Sequence, residues 1–247
     1  MYTFLIGGYF GAGNLGDEAI LECMLKELRL LDKDLNFIVT SWKPEWIEKQ
    51  HHVQSIHWKD VTGLFDAVQK SDLVILGGGG LFQDYWGIDP TTYLRANAWD
   101  ITAYGSIPLL ANLNNTPSMI YSVGIGPLKS DLARQHTKMV FENCQVVTLR
   151  DHDSLSLLEK CGYDLSDTQK TAPKVLADPV FSLTTSKKDE IFADEYLSAN
   201  RLCEPKKRIG IVLRFWDFLS PQEDWIKNIS EGVRMFLETH NNFDVLL

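Results

Sequence analysis

Cysteine is scarce in this 247-residue chain, and the four present, Cys23, Cys144, Cys161 and Cys203, include no Cys-x-x-Cys pair. That spacing excludes the common zinc and dithiol redox motifs. Four unpatterned cysteines read as reduced thiols of a cytoplasmic protein. Positive charge is also in short supply. Lys and Arg number 24 against 33 Asp and Glu, a formal net charge of −9, which argues against broad nucleic-acid binding. It leaves room for a small anionic ligand, because a local arginine or a helix N-terminus can hold one. Met1-Tyr2-Thr3-Phe4-Leu5-Ile6 lacks the basic segment and long apolar run of a signal peptide and reads as a first strand. The uncharged stretch Ile101–Leu128 fails as a membrane span. Pro108, Pro117 and Pro127 interrupt it, and Asn112, Asn114 and Asn115 would need partners in lipid. There is no internal repeat and no low-complexity segment. With 45% apolar and 23% charged residues, the composition is that of a soluble globular protein.

What is present is an alternation of short apolar runs and amphipathic stretches. Strands are predicted at Thr3–Gly8, Asn36–Ser41, Ser55–Trp58, Asp72–Leu76, Ser118–Val123, Val146–Leu149 and Val175–Ala177. Helices are predicted at Asp17–Leu31, Pro44–Lys49, Val61–Lys70, Leu132–Asn143 and Ser154–Cys161, with Thr91–Asn112 mostly helical and broken near Gly105–Pro108. In the first helix Ile20, Leu21, Met24, Leu25, Leu28 and Leu31 recur at helical spacing. Most strands are apolar on both faces, which indicates a buried parallel sheet. The fold class is therefore α/β, a doubly wound, mostly parallel sheet. Composition turns polar after residue 184. Residues 1–184 read as an N-terminal Rossmann-like domain, 185–207 as a linker with a short helix, and 208–247 as the start of a second Rossmann-like domain. That start consists of a strand at Arg208–Arg214, a helix at Pro221–Glu238 and a strand from Phe243. One β-α-β unit cannot bury its own sheet faces, so the second domain reads as unfinished, and residues 1–247 alone are expected to lack a closed cleft and catalytic activity.

Five stretches carry candidate chemistry. Gly11, Gly13 and Gly16 form Gly-x-Gly-x-x-Gly between a strand and a helix, but Asp17 and Glu18 would repel a pyrophosphate, and the second strand ends in Thr40-Ser41-Trp42 with no acid for a ribose. The loop is either a tight turn capped by Asn14 or Asp17, or a ligand-facing loop with Gly13 and Asn14 in contact with substrate. Gly77-Gly78-Gly79-Gly80 follows a core strand. Its backbone lets a ligand approach and can point N–H groups at it, and Asp84 follows at the same edge. Tyr85 and Trp86 either stack on a sugar ring or pack at the rim. Gly124 and Gly126 open another strand end. Arg150 closes the strand Val146–Leu149 and Arg214 closes the later one, and a guanidinium holds phosphate or carboxylate bidentately. Asp151 or Asp153 is the cap of the next helix. His152 reads as a surface or capping residue, because neighbouring residues in Asp-His-Asp rarely chelate one metal together.

Taken together, Gly8–Ala19, Gly77–Asp84, Ser122–Pro127, Leu149-Arg150-Asp151 and Leu213-Arg214 resemble the polysaccharide pyruvyl transferase family, from residue 4 to about 217. The resemblance implies two Rossmann-like domains like those of the glycosyltransferase-B fold. It also implies transfer of the enolpyruvyl group of phosphoenolpyruvate onto two hydroxyls of a cell-surface polysaccharide or its precursor, as a cyclic ketal. Phosphoenolpyruvate is then the donor substrate, with no metal and no cofactor. The acceptor is a saccharide, lipid-linked ones included, met in the cytoplasm or at the inner face of the plasma membrane. Arg150 and Arg214 would hold the donor with Gly78, Gly79, Gly80, Gly124 and Gly126. Asp84 would contact sugar hydroxyls or act as base, and Asn14 would orient a substrate. The family's acid is a histidine in a second-domain Arg-x-His. Those letters occur here at Arg134-Gln135-His136 and Arg150-Asp151-His152, both in the first domain, which leaves the acid unassigned. Two other readings stay open: a nucleotide-sugar glycosyltransferase of the same architecture, and a non-catalytic sugar-phosphate binding domain.

Overall fold

The computed structural model describes residues 1–167, 171–200, 202, 207–213, 222–240 and 242–246. It divides into two compact units, Met1–Leu183 and Thr184–Leu247. The first unit alternates strand and helix: β1 (Tyr2–Phe10), α1 (Leu15–Leu31), β2 (Leu35–Ser41), α2 (Pro44–His51), β3 (Gln54–His57), α3 (Val61–Lys70), β4 (Leu73–Gly77), β5 (Gly80–Phe82), α4 (Ile101–Leu113), β6 (Ser118–Ile125), α5 (Asp131–Glu142), β7 (Val146–Leu149), α6 (His152–Lys160) and β8 (Lys174–Val175). The strands pair in the order β3-β2-β1-β4-β6-β7-β8, with β5 added on β6. Every pairing is parallel, with Leu5 opposite Val74, Ile6 opposite Val39 and Ile120 opposite Val147.

The sheet is buried on both faces because successive strand residues point to opposite sides. Leu5, Ile38, Val74 and Leu76 pack under α3, α4, α5 and α6, against Leu64, Val68, Ile107, Val140 and Leu158. Their neighbours Ile6, Val39 and Ile75 pack on the other face against Leu21, Met24 and Leu25 of α1 and Ile47 of α2. Each fully buried Leu or Ile contributes about 1.5–3 kcal/mol of transfer free energy, so this two-sided core fixes the register. The sheet is therefore the doubly wound α/β architecture anticipated from the buried strands.

Local differences have physical causes. Residues 93–100 are not helical. The helix starts at Ile101, where the Asp100 side chain accepts from Thr102 N at 2.8 Å, and it runs unbroken through Gly105 and Pro108. Burial of Ile101, Ile107, Leu110 and Ala111 outweighs the roughly 3 kcal/mol that an interior proline costs. Gly105 is a packing glycine, since a Cβ there would lie 2.6 Å from His136 Nε2. Leu31 is 81% exposed because α1 ends at it.

The second unit contains α7 (Lys187–Ala199), whose Ser186 and Asp189 form a reciprocal capping box, and a parallel pair of β9 (Lys207–Gly210) and β10 (Phe243–Leu246) joined by α8 (Gln222–Thr239). Ile209, Val233, Phe236 and Val245 line an apolar hollow of about 330 Å³ within it. No described side chain of this unit is buried.

Candidate active site

The strand order reverses between β1 and β4, and in such sheets the crevice outside the carboxyl ends of the strands at that point is where ligands sit. Arg150 follows β7, two strands beyond β4 at the same edge of the sheet, with its N–H donating to Val123 O at 3.3 Å. Its side chain crosses β6 toward β5. A Cβ on Gly124 would lie 2.5 Å from Arg150 Nε and 2.7 Å from Cζ, and one on Gly80 would lie 3.4 Å from Nη2. The guanidinium thus rests on bare backbone, and Gly124 is glycine because any side chain would occupy the same volume. Arg150 Nε also lies 3.4 Å from Asp151 Oδ2, with the two side chains 37% and 45% exposed, a pair worth little in net stability. Asp151 is chiefly the cap of α6, accepting from Ser154 N at 2.7 Å. Burial raises its pKa, but the Ser154 hydrogen bonds and Arg150 outweigh that and hold it below the ordinary aspartate value.

The glycine N–H groups have a different use from the one the sequence suggested. Gly79 N–H donates to Asp17 Oδ1 at 3.4 Å, and Gly13 N–H donates to Glu18 Oε1 at 3.2 Å. Gly80 is paired with Gly124 in the short ladder of β5 on β6. Gly78 turns the chain there at φ +126°, and Gly126 at φ +109°. Gly124 N–H donates to Gly79 O at 3.0 Å and Gly126 N–H to Phe82 O at 2.7 Å, so these four donors are met within the fold. At Gly13 and Gly79 carboxylates already answer the donors, and the positive charge is supplied by Arg150. Asn14 is the N-cap of α1, its Oδ1 accepting from Gly16 N at 3.1 Å. Asp17 is buried, and its charge reaches Tyr104 of α4. Burial pushes the Tyr104 phenol well up, and Tyr9 and Asp17 add to the shift.

Asp84 is engaged inside the fold. It is 4% exposed and accepts from Lys129 N at 2.6 Å, Ser130 N at 2.7 Å and Ser130 Oγ at 2.8 Å. Burial alone would raise its pKa, but these hydrogen bonds more than compensate and leave it below the ordinary value. Its oxygens tie the segment after β5 to the start of α5. Neither Arg-x-His histidine is an evident acid. His136 is buried between Phe82 and Tyr93, with Nε2 3.1 Å from Ile101 O, and burial lowers its pKa to about 4. His152 is exposed in the first turn of α6. Trp86 is 67% exposed, and Lys129 Nζ lies 5.4 Å over the Tyr85 ring. Arg214 and Cys203 lie outside the described residues.

One cluster escaped the sequence reading. Trp42 follows β2, Trp58 follows β3, and Trp99 precedes α4. Their ring centroids are 4.6 Å (Trp42–Trp58), 5.7 Å (Trp42–Trp99) and 6.3 Å (Trp58–Trp99) apart. Tyr9 of β1 touches Trp42 edge-on at 6.1 Å. Lys59 Nζ lies 5.7, 5.2 and 5.9 Å from the three indoles.

A sequence model of the polysaccharide pyruvyl transferase family matches residues 14–242. The chain belongs to that family. No curated protein sequence matches this family member. Among solved structures, it superposes on a glycosyltransferase from Rickettsia africae (TM-score 0.55, 12% identity, 99% of this chain and 68% of that one). It also superposes on a UDP-GlcNAc 2-epimerase from Neisseria meningitidis bound to UDP-GlcNAc (0.54, 14%, 99% and 64%) and on Anabaena Alr3699/HepE in complex with UDP and glucose (0.52, 11%, 100% and 69%). Identities this low establish a shared Rossmann-like fold and nothing more. The chain spans about two thirds of the length of these structures. Among the described residues, no helix is long and apolar enough to cross a membrane, and no group of three or more His, Cys, Asp and Glu side chains is placed to hold a metal ion.

Proposed function

We propose that this protein moves the enolpyruvyl group of phosphoenolpyruvate onto two hydroxyls of a saccharide and releases inorganic phosphate. The observation that carries the reading is the Arg150 guanidinium lying on Gly124 and within reach of Gly79, in the loop after β4, in a chain of this family. Phosphoenolpyruvate offers a phosphate and a carboxylate, and a half-exposed guanidinium on a rigid strand end suits either one. In the reaction an acid protonates the methylene carbon, giving an oxocarbenium-like centre. One hydroxyl adds there and gives up its proton. The C–O bond to phosphate breaks, a second hydroxyl adds, and its proton is lost as the ketal closes. A carboxylate assists each hydroxyl. Asp17, buried in the first turn of α1 with Oδ1 accepting from Gly79 N–H, is the carboxylate given the part that the sequence reading gave Asp84. The acceptor is a saccharide, free or lipid-linked.

The test is titration of the protein with phosphoenolpyruvate followed by ³¹P NMR, with UDP as comparator. Phosphoenolpyruvate is expected to bind, and Arg150→Ala to weaken it at least about tenfold, the low end for a charged hydrogen-bonding group because the side chain is partly exposed. Binding of UDP but not phosphoenolpyruvate would favour the glycosyltransferase reading. Unchanged donor affinity in Arg150→Ala would overturn the role of Arg150.

A further inference from the structure

We infer that Trp42, Trp58 and Trp99, with Lys59 among them, form a stacking platform for a pyranose ring of the acceptor saccharide. Calling that saccharide the acceptor rests on the pyruvyl-transfer reading. The platform itself stands on geometry.

The cluster is built into the fold. Trp42 N–H donates to Phe10 O and Trp58 N–H to Ser41 O, both at 2.9 Å, so each indole hangs from a strand end extended by one residue of ladder. The turn after Trp58 is held by Lys59 N–H donating to His57 Nδ1 at 3.2 Å and Asp60 N–H donating to His57 O at 2.8 Å. Trp99 comes from far along the chain, fixed by its neighbour Asp100, the cap of α4. Three of the seven tryptophans thus converge from three separate segments. Trp99 nevertheless remains 65% exposed, so the assembly presents an indole to solvent instead of closing into a core.

Chemistry points to a sugar. One face of a pyranose is lined by C–H groups and packs on an aromatic ring, while its rim carries hydroxyls that need donors and acceptors. Lys59 brings an ammonium to within 6 Å of all three rings, where cation–π attraction keeps it and where it can donate to a hydroxyl or an acidic substituent at the platform's edge. A purely apolar partner surface would be poorly served by a charge at that point.

The position fits an acceptor. The platform stands at the carboxyl ends of β2 and β3, and Arg150 stands beyond β1 and β4 at the same edge of the sheet. Residues between them are coupled: Trp42 touches Tyr9, the charges of Tyr9 and Asp17 both bear on Tyr104, Asp17 accepts from Gly79 N–H, and Gly79 lies under Arg150. The carboxyl ends of β2 and β6, which carry Trp42 and the Gly124 under Arg150, are three strand spacings apart, about 14 Å. An oligosaccharide with one ring on the tryptophans therefore brings a ring further along its chain toward the donor.

The test is an array of neutral gluco-, manno- and galacto-configured tetrasaccharides and glucuronate-containing ones, probed with labelled protein. Wild type is expected to bind a subset. Trp99→Ala, a change at an exposed side chain, is expected to weaken that binding at least tenfold, and Lys59→Met at least threefold, with phosphoenolpyruvate affinity unchanged in both. Absence of glycan binding by wild type, or equal binding by Trp99→Ala, would overturn the platform. Equal loss of phosphoenolpyruvate binding would also overturn it, by assigning Trp99 to the donor side. Failure of phosphoenolpyruvate to bind wild type, with glycan binding intact and dependent on Trp99, would sink the pyruvyl-transfer reading and leave the platform standing.

Discussion

Gly124→Ala is the sharpest probe of how Arg150 is held, because it leaves every charge in place. The added Cβ would sit 2.5 Å from Nε, 2.7 Å from Cζ and 2.8 Å from Nη2. Ordinary van der Waals contact begins near 3.4 Å, so the guanidinium must move by about 1 Å. The neighbour that yields is the end of a long, partly exposed side chain, and the backbone can stay where it is. Folding is therefore expected to change little, by under about 1 kcal/mol, or roughly 2–4 °C in Tm for a chain of this size. Ligand binding responds differently. A two-point charged contact misaligned by 1 Å loses on the order of 1.5–3 kcal/mol, so the Kd for phosphoenolpyruvate rises roughly 10- to 150-fold. Isothermal titration gives the Kd and differential scanning calorimetry the Tm. A Kd within threefold of wild type would refute the claim that the guanidinium's seat on Gly124 sets anion binding. A Tm drop beyond 10 °C would show that Gly124 serves the core instead.

Two further outcomes follow from the buried polar groups. Asp84→Ala strands the N–H groups of Lys129 and Ser130, and is expected to cost about 3 kcal/mol in denaturant unfolding while sparing phosphoenolpyruvate affinity; normal stability would mean that the three hydrogen bonds add nothing. Because the folded pKa of Asp84 lies below its ordinary value of 3.8, its contribution is present above that pH and is lost as the pH falls through the folded value, so the gap between wild type and Asp84→Asn should narrow only in strong acid. His136 has linkage of the same sign, in a higher pH window. Its folded pKa of about 4 lies below the ordinary 6.5, so the unfolded chain takes up a proton that the folded one refuses. Wild-type stability should fall between pH 6.5 and 4 with a slope approaching 1.4 kcal/mol per pH unit, a slope that His136→Gln removes. Identical slopes in the two proteins would show that His136 charges without penalty.

The parts of the fold legible in sequence were those that a single local pattern decides. Leu5-Ile6 and Val74-Ile75 are apolar at consecutive positions because each residue meets a different helical layer, and α3 was read at its observed ends, Val61 and Lys70. β5 was missed because Gly80-Leu81-Phe82 is too short to carry a period. Its strand character comes from β6 beside it. The helix break expected at Gly105–Pro108 failed because tertiary packing on His136 and the core overrides propensity there. At the site, Arg150 and the glycines were visible as strand-end punctuation, but their relation was not. Glycine looks the same in sequence whether it frees an N–H for a ligand or makes room for an arginine. The tryptophan cluster was illegible because positions 42, 58 and 99 share no spacing, and only strand order brings them together.

The bed of backbone under Arg150 also constrains the order in which this site can change. Gly79, Gly80 and Gly124 lie within reach of one guanidinium, and Gly124 in particular cannot acquire a side chain while the arginine keeps its seat. A lineage drifting toward a different donor would have to shorten residue 150 first. Only then would position 124 become free to vary, and with it the shape of the pocket floor. The reverse order passes through an intermediate that keeps its charge but has lost the means to aim it. Of the two routes between the same pair of sequences, one is open and the other runs through a protein that folds but is expected to bind its anion far more weakly.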